Sequence, residues 1–217
     1  MTDTWVGAAT LHEAMGRRGV VPPRLKPVDP GFRVAGPAFP VVCAEGSNLA
    51  LHQALYAAAP GDVLVVAVER RGSDEFGYFG EIMAEAAKAR GLGGLVIDGC
   101  VRDSRELATV GFPVFAAGLS IRGTTKDPHP DPFADEIDFD STVVRRGDLV
   151  VGDGDGLVCV PAAEVEQVLA AGRERDRKEA DVIRRLRAGE RTLDLMGLPE
   201  LVSSRPAAPG TGRHATR

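Results

Sequence analysis

The sequence predicts a single layered α/β domain, with helices outside its strands and a long helix towards the C-terminal end. Three observations carry that reading. Between residues 63 and 117, short β-branched runs alternate with stretches of helical periodicity, the order that builds an α/β sheet. Residues 148–160 hold two apolar runs separated by Gly152-Asp153-Gly154-Asp155-Gly156, a hairpin pattern followed by a proline that opens a helix. The chain of 217 residues, 44% apolar and 26% charged, is long enough for one sizeable core.

Taken in order, Thr10-Leu11-His12-Glu13 has the form of a capping box and Gly19 is a stop, which predicts a first helix of about two turns. The prolines over 22–30 exclude regular structure there. A strand is expected over 39–43, then a helix over 48–59 with Leu51, Leu55 and Ala58 on one face. Pro60-Gly61-Asp62 ends that helix, and 63–68 is a buried strand. A glycine-rich loop opens a helix over 81–90. The run 95–97, preceded by two glycines, reads as a strand buried on both faces and broken at Asp98-Gly99. A helix over 104–110, with Asp103 or Ser104 as its N-cap, precedes a strand over 113–117. Three prolines make 126–132 a loop. From Pro161 a long helix carries Val165, Val168, Leu169, Val182, Ile183 and Leu186 at helical spacing, with a charged, solvated run over 173–179. Residues 203–217 lack periodicity and read as a disordered tail, which bounds the domain at 1–202.

Composition excludes several classes of function. A net charge of −5 argues against a nucleic-acid-coating surface. No apolar run approaches a membrane span, and no N-terminal run resembles a signal peptide. Cys43, Cys100 and Cys159 are odd in number and far apart, which suits small buried hydrophobes in a reducing cytoplasm rather than zinc ligands or disulfides. No Gly-x-Gly-x-x-Gly follows a strand, which argues against a dinucleotide.

The chemistry concentrates in two stretches. Arg102 and Asp103 stand on a strand-to-helix loop at the carboxyl end of a strand, where ligands bind in open α/β sheets. Gly80 and Glu81 open a helix whose first N–H groups have no intrahelical partners, a terminus suited to a carboxylate or phosphate. An ordinary turn with a capping Asp, and an ordinary acidic first helical turn, are the plainer readings of the same residues. His52, alone on its helix, reads as a packed or surface histidine. The carboxylates of 152–156 lack the remaining ligands of a calcium loop.

Glu81, then twenty residues, then Arg102-Asp103, joined to Asp98-Gly99-Cys100-Val101, Gly111-Phe112-Pro113-Val114-Phe115 and Arg122-Gly123-Thr124-Thr125-Lys126-Asp127, resembles the RraA-like proteins. Pro37-Ala38-Phe39, Asn48-Leu49-Ala50-Leu51-His52, Pro60-Gly61-Asp62 and Gly147-Asp148-Leu149 extend the resemblance over most of the chain. That family includes the 4-hydroxy-4-methyl-2-oxoglutarate/4-carboxy-4-hydroxy-2-oxoadipate aldolases. The resemblance implies mixed β-sheets with outer helices of the swivelling β/β/α kind, in a cytoplasmic homotrimer or hexamer. It also implies a small 2-oxo acid as substrate.

What the resemblance implies for the site is specific. Cleavage of a 4-hydroxy-2-oxo acid leaves an enolate on the pyruvyl fragment, and a divalent cation, Mg²⁺ or Mn²⁺, stabilises that charge. Asp103 is then a metal ligand and Glu81 holds the metal's water shell. A glutamate of a neighbouring subunit's C-terminal helix joins them, and Glu179, with Glu174 as the alternative, matches its place. Arg102 grips the pyruvyl carboxylate or keto oxygen, and the backbone at Gly80, Ile82 and Met83 completes the cradle. Such a class II pyruvate aldolase, a lyase, is also expected to decarboxylate oxaloacetate. The family's studied aldolases carry Asp where this chain has Glu81, a displacement of about 1.5 Å that bears on rate. Two other readings stand beside this one: a protein-binding regulator of the ribonuclease-inhibitor kind, and a Schiff-base aldolase using Lys126. Asp127 opposes the depressed lysine pKa that a Schiff base needs. Residues 127–140 match the family pattern least and are where specificity would be shaped.

Overall fold

The computed structural model describes residues 5–69 and 76–200. In chain order these form α1 (Ala8–Ala14), β1 (Lys26–Pro27), β2 (Val34–Cys43), α2 (Leu49–Ala57), β3 (Val63–Val68), α3 (Glu81–Ala89), β4 (Gly94–Val101), α4 (Ser104–Val110) and β5 (Val114–Leu119). There follow β6 (Glu136–Asp138), β7 (Val143–Arg145), β8 (Leu149–Asp153), β9 (Gly156–Val160), α5 (Val165–Arg187) and α6 (Thr192–Leu195). One compact unit ends at Asp176 and a second begins at Arg177, a boundary that falls within α5. The expected tail, 203–217, lies outside the described residues.

The fold is mixed α/β. Seven strands form one sheet in the order β1-β5-β4-β3-β2-β8-β9, while β6 and β7 form a separate hairpin. The central strands β2, β3, β4 and β5 run parallel, because helices α2, α3 and α4 return the chain between them. The flanking pairs β1/β5, β2/β8 and β8/β9 are antiparallel. Val41, Leu64, Val66, Leu95, Ile97, Val114 and Phe115 are buried, as their uninterrupted apolar runs predict. Each such side chain contributes about 2 kcal/mol of transfer free energy. A second cluster packs Leu11 and Met15 of α1 against Val151, Val158 and Val160 of the hairpin, with Val168 of α5. Cys43, Cys100 and Cys159 are buried thiols outside any disulfide among the described residues. Burial pushes the Cys43 thiol up to about 12, and burial followed by the Asp148 carboxylate raises that of Cys159.

Four local expectations are corrected. The first helix begins at Ala8, not at a Thr10 capping box, because Asp153 Oδ2 accepts the Ala8 N–H at 2.9 Å across the fold. Thr10 donates its hydroxyl to Asp176 instead. Within the proline-rich stretch, Lys26 and Pro27 pair with the edge of β5. β2 begins five residues before its expected start, since Val34 to Pro37 pair with β8 and Ala38 to Cys43 pair with β3. Gly36 in that strand is required by close approach: a Cβ there would lie 2.3 Å from the Gly61 carbonyl oxygen. Finally, Asp98-Gly99 does not end β4. The strand passes through them as a bulge and runs on to Val101.

Candidate functional site

Three chain segments are laced together at the carboxyl end of β4. Tyr78 donates its N–H to the Cys100 carbonyl and Arg102 donates its own to Phe79, each at 2.9 Å. Ser120 donates to Val101 at 2.9 Å and Gly77 to Arg122 at 2.8 Å. The start of α3, the β4–α4 loop and the segment after β5 therefore present their side chains to one cleft of about 230 Å³.

Asp103 begins α4 in the left-handed region, at φ 57° and ψ 42°, a conformation Asp tolerates better than most residues. Its carbonyl accepts the Leu107 N–H at 2.8 Å, but its carboxylate makes no cap bond to α4. That carboxylate reaches across to α3, where Oδ2 accepts the Glu81 N–H at 3.1 Å. Arg102 Nε lies 3.5 Å from the same oxygen, and both side chains stay substantially open to solvent. Gly80 makes this approach possible: a Cβ on it would lie 2.3 Å from Asp103 Oδ2.

α2 and the loop after β5 complete the lining. Asn48 is buried at the start of α2. Its Nδ2 donates to the Tyr78 carbonyl at 2.8 Å, and its Oδ1 accepts from Lys126 Nζ at 2.7 Å. His52, one turn along α2, lines the same cleft. Burial, then the Lys126 charge, lowers its pKa. The cleft thus holds two cationic groups, Arg102 and Lys126, with a neutral imidazole beside them.

Of the residues expected from the sequence, Arg102, Asp103, Gly80, Ile82 and Met83 line the cleft. Glu81 contributes its backbone N–H, while its side chain is exposed and lies outside the cleft wall. One member of the backbone cradle is corrected: Met83 donates its N–H to Gly80 at 3.1 Å, because a tight first turn closes on Gly80, and brings its thioether to Asn48 instead. Among the described residues, nothing accepts the Ile82 N–H. Glu179 lies on α5 in the second unit, whereas the cleft is built from the first. Asn48 and His52 were legible only as a helix start and a lone histidine. Their signal was that both sit in one family-like segment, as Lys126 does in another.

Among the described residues, no three His, Cys, Asp or Glu side chains form a ready metal cluster. The Asp103 carboxylate, however, uses only one oxygen in the bonds above and is 38% exposed. A hard donor with room for water fits a small divalent cation that retains several waters, as Mg²⁺ does.

No helix among the described residues is long and apolar enough to cross a membrane. The family model described as RraA-like, Aldolase/RraA, matches residues 8–159. A Halalkalibacterium halodurans protein named "Putative 4-hydroxy-4-methyl-2-oxoglutarate aldolase" is 35% identical over 164 residues, which is 76% of this chain and 75% of that one. The crystal structure of an uncharacterized Pseudomonas syringae protein is similar at a TM-score of 0.73 and 26% identity, covering 86% of each chain. That of Streptomyces coelicolor RraAS2, described as an unusual member of the RNase ES inhibitor RraA protein family, has a TM-score of 0.72 and 28% identity. It covers 84% of this chain and 94% of its own.

Proposed function

The chain belongs to the RraA-like family, and on that premise we propose that it is a divalent-metal-dependent lyase. It cleaves 4-hydroxy-2-oxo acids of the 4-hydroxy-4-methyl-2-oxoglutarate type to pyruvate and decarboxylates oxaloacetate. The observation that carries this reading is the convergence of Arg102, Asp103 and Lys126 on one small cleft.

The Arg102 guanidinium matches a planar carboxylate or a carboxylate–keto pair, and holds the pyruvyl end of the substrate. The Ile82 N–H, in the first turn of α3 at the cleft wall, would add a further donor for a carboxylate. Lys126, fixed by Asn48, faces the cleft as a second cation, which suits a substrate with a carboxylate at each end. His52, whose neutral form is favoured by burial and then by the Lys126 charge, offers a further hydrogen-bonding group in the cleft wall. A divalent cation, Mg²⁺ or Mn²⁺, would be held by Asp103 and would supply Lewis-acid stabilisation to the charge that develops on the keto oxygen. Glu81, outside the wall, suits a carboxylate acting through water rather than on substrate. Glu179 of the partner subunit is assigned to the same water shell.

That assignment needs an assembly. Leu119 and Ile121 are 60% and 96% exposed beside Arg102, an apolar rim of the kind subunits cover. We accordingly assign a homotrimer or hexamer of one RraA-like domain over 1–202, acting on a small molecule in the cytoplasm. The Schiff-base reading has less support, because Lys126 Nζ is engaged by the Asn48 side chain and the flanking Asp127 carboxylate opposes the neutral amine that a Schiff base needs. A regulator that binds a ribonuclease is supported by the likeness to RraAS2, but gives the cleft no task. The deciding experiment is a dehydrogenase-coupled assay for pyruvate, with both substrates, in Mg²⁺ and in EDTA. Release that depends on the cation supports the lyase, and no release from either substrate removes it.

A further inference from the structure

The bulge in β4 is held by an ion pair, and we propose that this pair, Arg24 with Asp98, positions Arg102 and Asp103 for catalysis. The inference rests on the lyase reading above. Arg24 Nε donates to Asp98 Oδ1 at 2.9 Å and Nη2 to Oδ2 at 2.7 Å, a parallel fork that fixes the carboxylate in orientation as well as distance. The Asp98 side chain is 5% exposed, while Arg24 comes from the segment before β1 and is partly open. Neither residue lines the cleft.

Asp98 stands where the pairing of β4 slips. Ile97 is opposite Ala116 of β5 but Cys100 is opposite Gly118, three steps against two, while Asp98 stays in register with Ala67 of β3. One extra residue in a strand sends every later side chain to the opposite face. Arg102 and Asp103 follow within five residues, and the intervening backbone has no slack. The Cys100 carbonyl is bound by Tyr78, that of Val101 by Ser120, and the Arg102 N–H by Phe79. Gly99 is equally confined, since a Cβ there would lie 3.2 Å from Val68 and 3.3 Å from Tyr78. The phase set at Asp98 is therefore delivered intact to the cleft.

Stability alone does not call for a charge here. The neighbouring residues Leu95, Val96, Ile97 and Val101 are buried and apolar, and a desolvated ion pair is commonly no more stable than an apolar replacement of its size. A forked pair instead specifies one register. Arg24 and Asp98 are thus positioning residues acting through Arg102 and Asp103.

The test compares wild type with the neutral pair Arg24→Gln/Asp98→Asn and with Arg24→Lys, which keeps the charge and loses the fork. Pyruvate release by the folded neutral pair should fall by about tenfold or more, with the loss in kcat, and Arg24→Lys should fall between. Adding the neutral pair to Arg102→Lys should cost less than adding it to wild type, because the part of its effect that runs through the Arg102 fork is already lost. Turnover within about twofold of wild type, or an equal loss in both backgrounds, overturns the proposal. If wild type releases no pyruvate, the lyase reading has failed, and the inference is decided by NMR. The Arg102 and Asp103 amide signals must then shift in the variant while those of Val150 and Val158 stay, and unmoved signals at 102 and 103 overturn it. Should the neutral pair not fold, Arg24→Lys carries both measurements.

Discussion

The Asp103 carboxylate accepts the Glu81 N–H at 3.1 Å, so the residue that begins α4 caps α3. The bond ties two helix starts together beside the cleft. It also leaves Asp103 one oxygen for other work and turns Glu81 into a backbone donor before it is a carboxylate.

Gly80→Ala tests that tie. The glycine's φ of −154° is ordinary extended backbone, so alanine brings no backbone strain. Its Cβ would collide with Asp103 Oδ2, and the carboxylate must move. Loss of one hydrogen bond should cost about 1 kcal/mol of unfolding free energy in a urea titration, whereas pyruvate release should fall by about 10²-fold. A variant with wild-type turnover contradicts the assigned role of Asp103.

Asp103→Asn separates charge from shape. Asn tolerates the left-handed backbone and can still accept the Glu81 N–H, so stability should stay within about 1 kcal/mol. Calorimetric titration with Mn²⁺ should show binding by wild type and little by the variant. Undiminished binding to folded Asp103→Asn would remove it as a metal ligand.

His52 gives a pH prediction. Its folded pKa is lowered by burial and by Lys126, while in the unfolded chain it is about 6.5. Below that value the unfolded chain takes up a proton that the folded chain resists, so stability is lost as pH falls from about 6.5 towards the folded pKa. His52→Gln should lose less stability than wild type between pH 7.5 and pH 5.5. Identical falls in the urea midpoint would place His52 in contact with solvent rather than in the cleft wall.

Much of this architecture was legible in the sequence because the central strands are buried on both faces, and runs such as Val63-Leu64-Val65-Val66 admit no other placement. Arg102 and Asp103 were legible because the end of a parallel strand opens onto the cleft. Failures came where a partner distant in sequence overrode a local signal. Asp153 moved the start of α1, and Arg24 kept Asp98 inside β4. The Asn48–Lys126 contact spans 78 residues, and no local pattern records it.

The most direct test of the central claim is pyruvate release by Arg102→Lys, read beside its urea midpoint on one preparation. Arg102 is 45% exposed and its neighbouring carboxylate 38%, so the ion pair contributes at most about 1 kcal/mol to stability. The substitution keeps the charge and loses the planar fork. If the fork holds the pyruvyl end, turnover should drop by about 10²-fold with the midpoint nearly unchanged. Turnover within a few-fold of wild type would contradict a substrate-binding Arg102, and with it an enolate-stabilising centre at this cleft.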